Sequence, residues 1–213
     1  MLEKIKQYNL IWIIVFLVGV PLFIWATGEV HQKAFYKEAI SVVTILAFFF
    51  LIGQSYLTRG YRVFIQKLKM SRLLKLHKIF GYVFVSVIVL HPLYIVLPKF
   101  FDNGITPYDA FITMLTTFES TGIILGIVSW ILLVTLAITS IIRSRLFKNY
   151  RTWRVFHAIL ALFFVTFSTW HVLNLGRHST TLMAIYMILV SIGGVFIMMK
   201  VYYKTLNKVK EEE

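Results

Sequence analysis

The sequence predicts an all-α membrane protein, a six-helix transmembrane bundle with both termini in the cytoplasm. Three observations predict it. Of the 213 residues 59% are hydrophobic and only 15% charged, with a mean hydropathy of +0.79, where soluble domains carry about 45–50% apolar residues. Six stretches free of Asp, Glu, Lys and Arg reach the ~20 residues a helix needs to cross the hydrocarbon core. Finally, the basic residues collect in alternate connections between those stretches.

Taken in order, the stretches are approximately 10–28, 39–58, 79–98, 120–142, 155–176 and 178–199. The first follows Lys4 and Lys6, as a signal peptide would. Its uninterrupted length exceeds the roughly 7–15 residues of a signal core, and "WATG" at 25–28 is a poor cleavage site, so the first helix is expected to be retained. The connection 98–120 carries turn signals at Asn103-Gly104 and Thr106-Pro107. The "YDAFITMLTTF" after them reads as a short helix lying in the interface, its aromatics at headgroup level. With the N-terminus inside, the inner segments 1–9, 59–78, 143–154 and 200–213 hold 2, 7, 5 and 4 Lys or Arg, 18 of the 22. Lys33, Lys37, Lys99 and Arg177 remain outside. Lys/Arg bias in short loops sets orientation, which places both termini in the cytoplasm.

Nothing between the stretches is long enough for a separate domain, so residues 1–213 are expected to form one transmembrane domain. A net charge of +13 would suggest nucleic acid in a soluble chain. Here the charges sit where cytoplasmic membrane loops carry them, and no nucleic-acid partner is expected; the partner surface is the lipid bilayer. The absence of cysteine excludes disulfides, thiol redox chemistry, iron–sulfur ligation and covalent c-type haem.

Four of the six histidines recur in a pattern. His77 and His91 bound "HKIFGYVFVSVIVLH", and His157 and His171 bound "HAILALFFVTFSTWH", a spacing of fourteen in both. Fourteen residues turn a helix about 40° short of four full turns and raise it about 21 Å. Each helix therefore presents two histidines on one face, one near each leaflet. The third and fifth stretches run in the same direction, which sets His77 level with His157 and His91 level with His171. If those faces oppose each other, each level offers a pair of imidazoles able to clamp a flat metal macrocycle from both sides, as axial ligands hold haem iron. Two axial histidines leave no open coordination position, which suits electron transfer better than oxygen binding. Gly81 and Ala161, four residues after the first histidine of each helix, would let a macrocycle approach the backbone; Phe84 and Phe164, seven after, would lie between the two levels.

A single membrane histidine is often a hydrogen-bonded core residue, and aromatics at helical spacing are often packing. Intramembrane ionisable groups are nevertheless rare and tend to be functional, and two equal spacings on codirectional helices favour function. His31 and His178 fall near outer boundaries, where no role is expected. A tetrahedral zinc site needs its ligands around one ion, which this separation prevents. A histidine proton relay would not need matched spacings. Transporters commonly use intramembrane carboxylates, and these stretches contain none. A non-redox membrane protein with core histidines remains the contrasting reading.

The words "LLKLHKIFGY" with "LHPLY", and "WRVFH" with "TWH", resemble the ferric reductase-like transmembrane domain over roughly 39–203. This family includes ferric reductases, NADPH oxidases and the bacterial haem subunit of a periplasmic methionine sulfoxide reductase. The resemblance implies two haem b groups, or one if a pair is vacant, with His77 and His157 ligating an inner iron and His91 and His171 an outer iron. Arg72 and Arg154, with Lys78 and Arg151, lie near the inner pair as candidate propionate partners; Arg177 and Lys99 could serve the outer haem. The chain carries no Gly-rich dinucleotide fingerprint, so no flavin or NAD(P) site is expected within it, and it resembles the stand-alone members. The implied function is an oxidoreductase component that moves electrons from a cytoplasmic flavoprotein reductase or a quinol to an external acceptor. That acceptor would be ferric iron or a periplasmic or extracellular redox protein such as a methionine sulfoxide reductase.

Overall fold

A computed structural model of the chain describes residues 14–31, 33–57, 70–96, 104–118 and 120–210, without the side chains of 57, 70 and 204–210. The described residues are mostly helical, with no strand among them: α1 (Val15–Thr27), α2 (Phe35–Leu57), α3 (Met70–Val96), α4 (Pro107–Thr116), α5 (Thr121–Ile141), α6 (Arg143–Leu146), α7 (Tyr150–Leu175) and α8 (Thr181–Lys210). Five of them, α2, α3, α5, α7 and α8, are long and apolar enough to cross a membrane. The expected first span is described only in its second part, as the shorter apolar α1.

Several helices overrun their apolar stretches. α3 begins at Met70 rather than near 79, α7 at Tyr150 rather than near 155, and α8 continues past 199 to Lys210. The reason is chemical: Lys and Arg are good helix formers, so a charge ends the apolar run without ending the helix. Two of the helix starts are set by side-chain caps. Asn149 accepts the Arg151 backbone N–H at 2.8 Å at the start of α7. At α4, Thr106 Oγ1 accepts from the Asp109 backbone N–H at 3.1 Å and Pro107 occupies the first turn, so the expected short helix forms there.

The helices fall into two packed units, one drawing on Met1–Phe84 and Thr180–Glu213, the other on Val85–Ser179. In the first, α8 packs along α2 and α1 lies against both. Its centre is Phe49 and Ile52 of α2 with Met183, Met187 and Val190 of α8, all fully buried. Polar bonds fasten this core where water is absent. Tyr56 Oη donates to the Val190 carbonyl at 2.6 Å. In α1, residues Val15–Gly19 form a π-turn, in which the Phe16 carbonyl would look to residue 21 for its donor. Residue 21 is proline and has no N–H; Tyr186 Oη donates to that carbonyl instead. Phe84 of α3 stacks on Phe50 of α2 with ring centroids 4.3 Å apart.

The second unit is dominated by α5 packed on α7. Trp130 Nε1 of α5 donates to the Val89 carbonyl of α3 at 3.0 Å, tying the C-terminal half of α3 to this pair. α3 itself carries Pro92 in its interior, directly after His91.

Helices in lipid associate through close packing rather than a hydrophobic drive, so small residues mark the contacts. A Cβ added at Gly194 of α8 would lie 2.6 Å from Ser55 Oγ of α2. Gly194→Val is therefore expected to destabilise the α2–α8 contact by about 1–3 kcal/mol, the usual cost of overpacking, measured as a lower thermal unfolding temperature in detergent.

Candidate functional site

All four histidines lie on the two helices expected to carry them, His77 and His91 on α3 and His157 and His171 on α7, and all four are half-buried. His77 belongs to the first unit and the other three to the second. The pairing expected of His77 with His157 crosses from one unit to the other and is taken up below as a proposal. Within the second unit, His91 and His171 lie within electrostatic range of each other.

The contacts that hold the α7 histidines come from α5. His171 Nδ1 lies 2.7 Å from the Gly122 carbonyl oxygen. A carbonyl can only accept, so this nitrogen donates; the neutral ring is the Nδ1–H tautomer and its lone pair is on Nε2. The same ring lies against Gly126. A Cβ there would lie 2.6 Å from His171 Cε1 and 2.7 Å from Nδ1. One turn nearer the start of α5, a Cβ on Gly122 would lie 2.6 Å from Leu175 Cγ. At the other end, His157 Nδ1 lies 3.2 Å from Ser140 Oγ.

These three contacts, Gly122 with Leu175, Gly126 with His171 and Ser140 with His157, share one antiparallel register. It follows that Gly126 and Ser140 are separated by fourteen residues, the same interval as the histidines they touch. The sequence reading missed both. Their signal was present in Gly122-x-x-x-Gly126, the small-residue spacing of closely packed membrane helices, and in the recurrence of fourteen on a third helix.

The expected neighbours of the histidines are distributed as follows. A Cβ at Gly81 would meet no atom within 4 Å, so the α3 backbone has room beside it one turn beyond His77. Ala161 is half-buried. Phe164 is buried, and Phe84 packs on Phe50. Among the basic residues, Arg72, Lys78 and Arg151 are exposed, Arg154 and Arg177 half-buried, and Lys99 lies outside the described residues. His31 is exposed and His178 half-buried. The reading counted Arg143 only as a cytoplasmic charge. Its guanidinium lies 4.9 Å from the centre of the Trp153 ring and 5.0 Å from that of Tyr150, and Trp153 lies 5.1 Å from the His157 ring. Aromatic stacking thus brings Arg143 toward the His157 end of α7. Among the described residues, no three His, Asp or Glu side chains converge in a way that could hold a metal ion. The arrangement is one of pairs.

Five apolar helices long enough to cross a membrane, two of them with histidines fourteen residues apart, define a class: a multi-span membrane protein. The family model for the ferric reductase like transmembrane component matches residues 39–168; the chain belongs to that family and is a membrane-integrated protein. The matched region contains His77, His91 and His157 and ends three residues before His171. An uncharacterised protein of Archaeoglobus fulgidus is 45% identical over 166 residues, which cover 78% of this chain and 90% of that relative. No solved structure matches the chain.

The Gly126–His171 contact makes a testable statement about packing. All three atoms nearest to a Cβ on Gly126 belong to the His171 ring. Gly126→Ala should displace the ring from the Gly122 carbonyl at a cost of about 1–3 kcal/mol for a buried donor left unpaired. In a His171→Ala background the same substitution should cost much less, because the obstacle is gone. A double-mutant cycle on thermal unfolding in detergent measures that coupling.

Proposed function

We propose that the chain is a di-haem b electron-transfer protein of the cell membrane. It would carry electrons from a cytoplasmic flavoprotein or a quinol to an acceptor outside, with both termini in the cytoplasm. His77 and His157 hold the inner iron in this reading, and His91 and His171 the outer iron. The observation that carries it is the state of the outer pair. His171 is fixed with its Nδ1 proton on the Gly122 carbonyl and its Nε2 lone pair uncommitted to that bond. His91, within its electrostatic range, has a buried Nδ1 without a hydrogen-bond partner. The His91 ring is therefore not tied into the packing through Nδ1, and ligation of an iron between two neutral imidazoles would give both rings a purpose.

The surroundings fit the same group. α3 buries the smallest share of its apolar window among the five spans, 6%, and Gly81 leaves its backbone open to close approach beside His77. The spans α3, α5 and α7 contain no Asp or Glu, so these three helices offer no carboxylate to compete for the metal. When bound, haem supplies a one-electron iron couple whose potential is set by its axial ligands, their hydrogen bonds and its burial.

The chain's own residues hold the two ligand levels about 21 Å apart, by fourteen residues at 1.5 Å each. They also keep both levels in apolar surroundings. Arg72 and Arg154, joined by Arg143 through its stack on Trp153, are the inner candidates for propionates. The external acceptor, ferric iron or a periplasmic or extracellular reductase, meets the end of the bundle that carries His91, His171 and α4.

Purified from haem-replete cells, the wild-type protein is expected to give two low-spin b-type haems per chain by reduced-minus-oxidised spectra and a pyridine haemochrome assay. Each of His77→Ala, His91→Ala, His157→Ala and His171→Ala should lose one of them. The pairing is read from double variants: His77→Ala with His157→Ala should still retain one haem, whereas His77→Ala with His91→Ala should retain none. Full haem content in all four single variants would sink the assignment.

A further inference from the structure

The two contacts that α5 makes to the α7 histidines differ in kind. At His171 the acceptor is a backbone carbonyl; at His157 it is the hydroxyl of Ser140. A hydroxyl has one proton, and Ser140 Oγ donates it to the Leu136 carbonyl at 2.6 Å. Toward His157 Nδ1, at 3.2 Å, Ser140 therefore presents only lone pairs. The 3.2 Å contact is then a hydrogen bond when Nδ1 carries the proton, the tautomer that puts the basic lone pair of the neutral ring on Nε2. In that tautomer both α7 rings turn their Nδ1–H toward α5, from residues fourteen apart on each helix.

We propose that Ser140 is a positioning residue for the His157 ligand: it accepts the Nδ1 proton and so fixes the tautomer and rotation that present Nε2 to the inner iron. This rests on the reading of His157 as a haem ligand. A hydrogen bond accepted from the far nitrogen of a metal-bound imidazole raises the ring's basicity and holds its orientation. The more basic ring favours the ferric over the ferrous state. Ser140 then sets the potential of the inner haem and leaves that of the outer haem, whose ligand is tuned by Gly122, untouched.

The test is a potentiometric titration of the purified, haem-loaded full chain as wild type, Ser140→Ala and Ser140→Thr, with His157→Ala identifying which midpoint belongs to the inner haem. Ser140→Ala should raise that midpoint by about a tenfold change in the ferric/ferrous equilibrium, ~59 mV for one electron, with the other midpoint unmoved. Ser140→Thr, which keeps the hydroxyl, should remain close to wild type. Loss of the inner haem in Ser140→Ala but not in Ser140→Thr supports the same role through affinity. Two unmoved midpoints in Ser140→Ala would overturn this inference and leave the haem assignment standing. Loss of the haem in both variants would also overturn it, since the residue would then act through volume. A wild-type protein without haem would overturn both readings.

Discussion

The close approach of α5 to α7 is the constraint on which the site depends. It is possible because Gly122 and Gly126 present bare backbone where Leu175 and His171 arrive. Once those contacts are set, the antiparallel register leaves no freedom at the other end: Ser140 must meet His157. The spacing of the histidines on α7 is thereby copied onto α5, and one packing decision places an acceptor behind each ring. The glycines do in sterics what the carbonyl and the hydroxyl then complete in hydrogen bonding.

The first unit solves a related problem by other means. In lipid an unsatisfied backbone group costs several kcal/mol, and α1 creates one by combining a π-turn with Pro21. Tyr186 reaches across from α8 to fill it, while Tyr56 reaches from α2 to a carbonyl of α8. Both tyrosines thus act as cross-links between helices whose apolar faces have no preference for each other over lipid. Trp130 plays the same part between α5 and α3 in the second unit. These three side chains hold neighbouring helices at fixed depth and rotation, whereas the serines and threonines of the spans mostly bond carbonyls of their own helix.

Much of this was legible in the sequence, for identifiable reasons. Spans follow from hydropathy because the bilayer demands length and apolarity together, and the four histidines stood out because an ionisable group is expensive there. Helix ends were misjudged where charge was taken for a boundary: α8 runs on through Lys200 and α3 starts before Arg72, since basic residues continue a helix readily. Ser140 and Gly126 were overlooked because their meaning depends on the register between two helices. That register is fixed by side-chain contacts and the geometry of the short α6 connection. A serine four residues from a carbonyl it can bond is common in membrane helices; only its second neighbour, His157, makes Ser140 particular. Arg143 was hidden for a similar reason, since its distance from His157 in sequence says nothing of the Trp153 ring between them.

The two acceptors on α5 have different evolutionary freedom. A backbone carbonyl is present whatever residue stands at 122, so the hydrogen bond to His171 is lost only by displacing the ring or parting the helices. A hydroxyl can be gained, lost or exchanged by one substitution, with little change in volume and none in the register. On the reading proposed here, the outer ligand is therefore held by the fold and the inner ligand by a side chain. The same asymmetry argues for keeping Gly122 and Gly126 as a pair: they preserve the register that makes an adjustment at 140 local, so that the inner site can be retuned without disturbing the outer one.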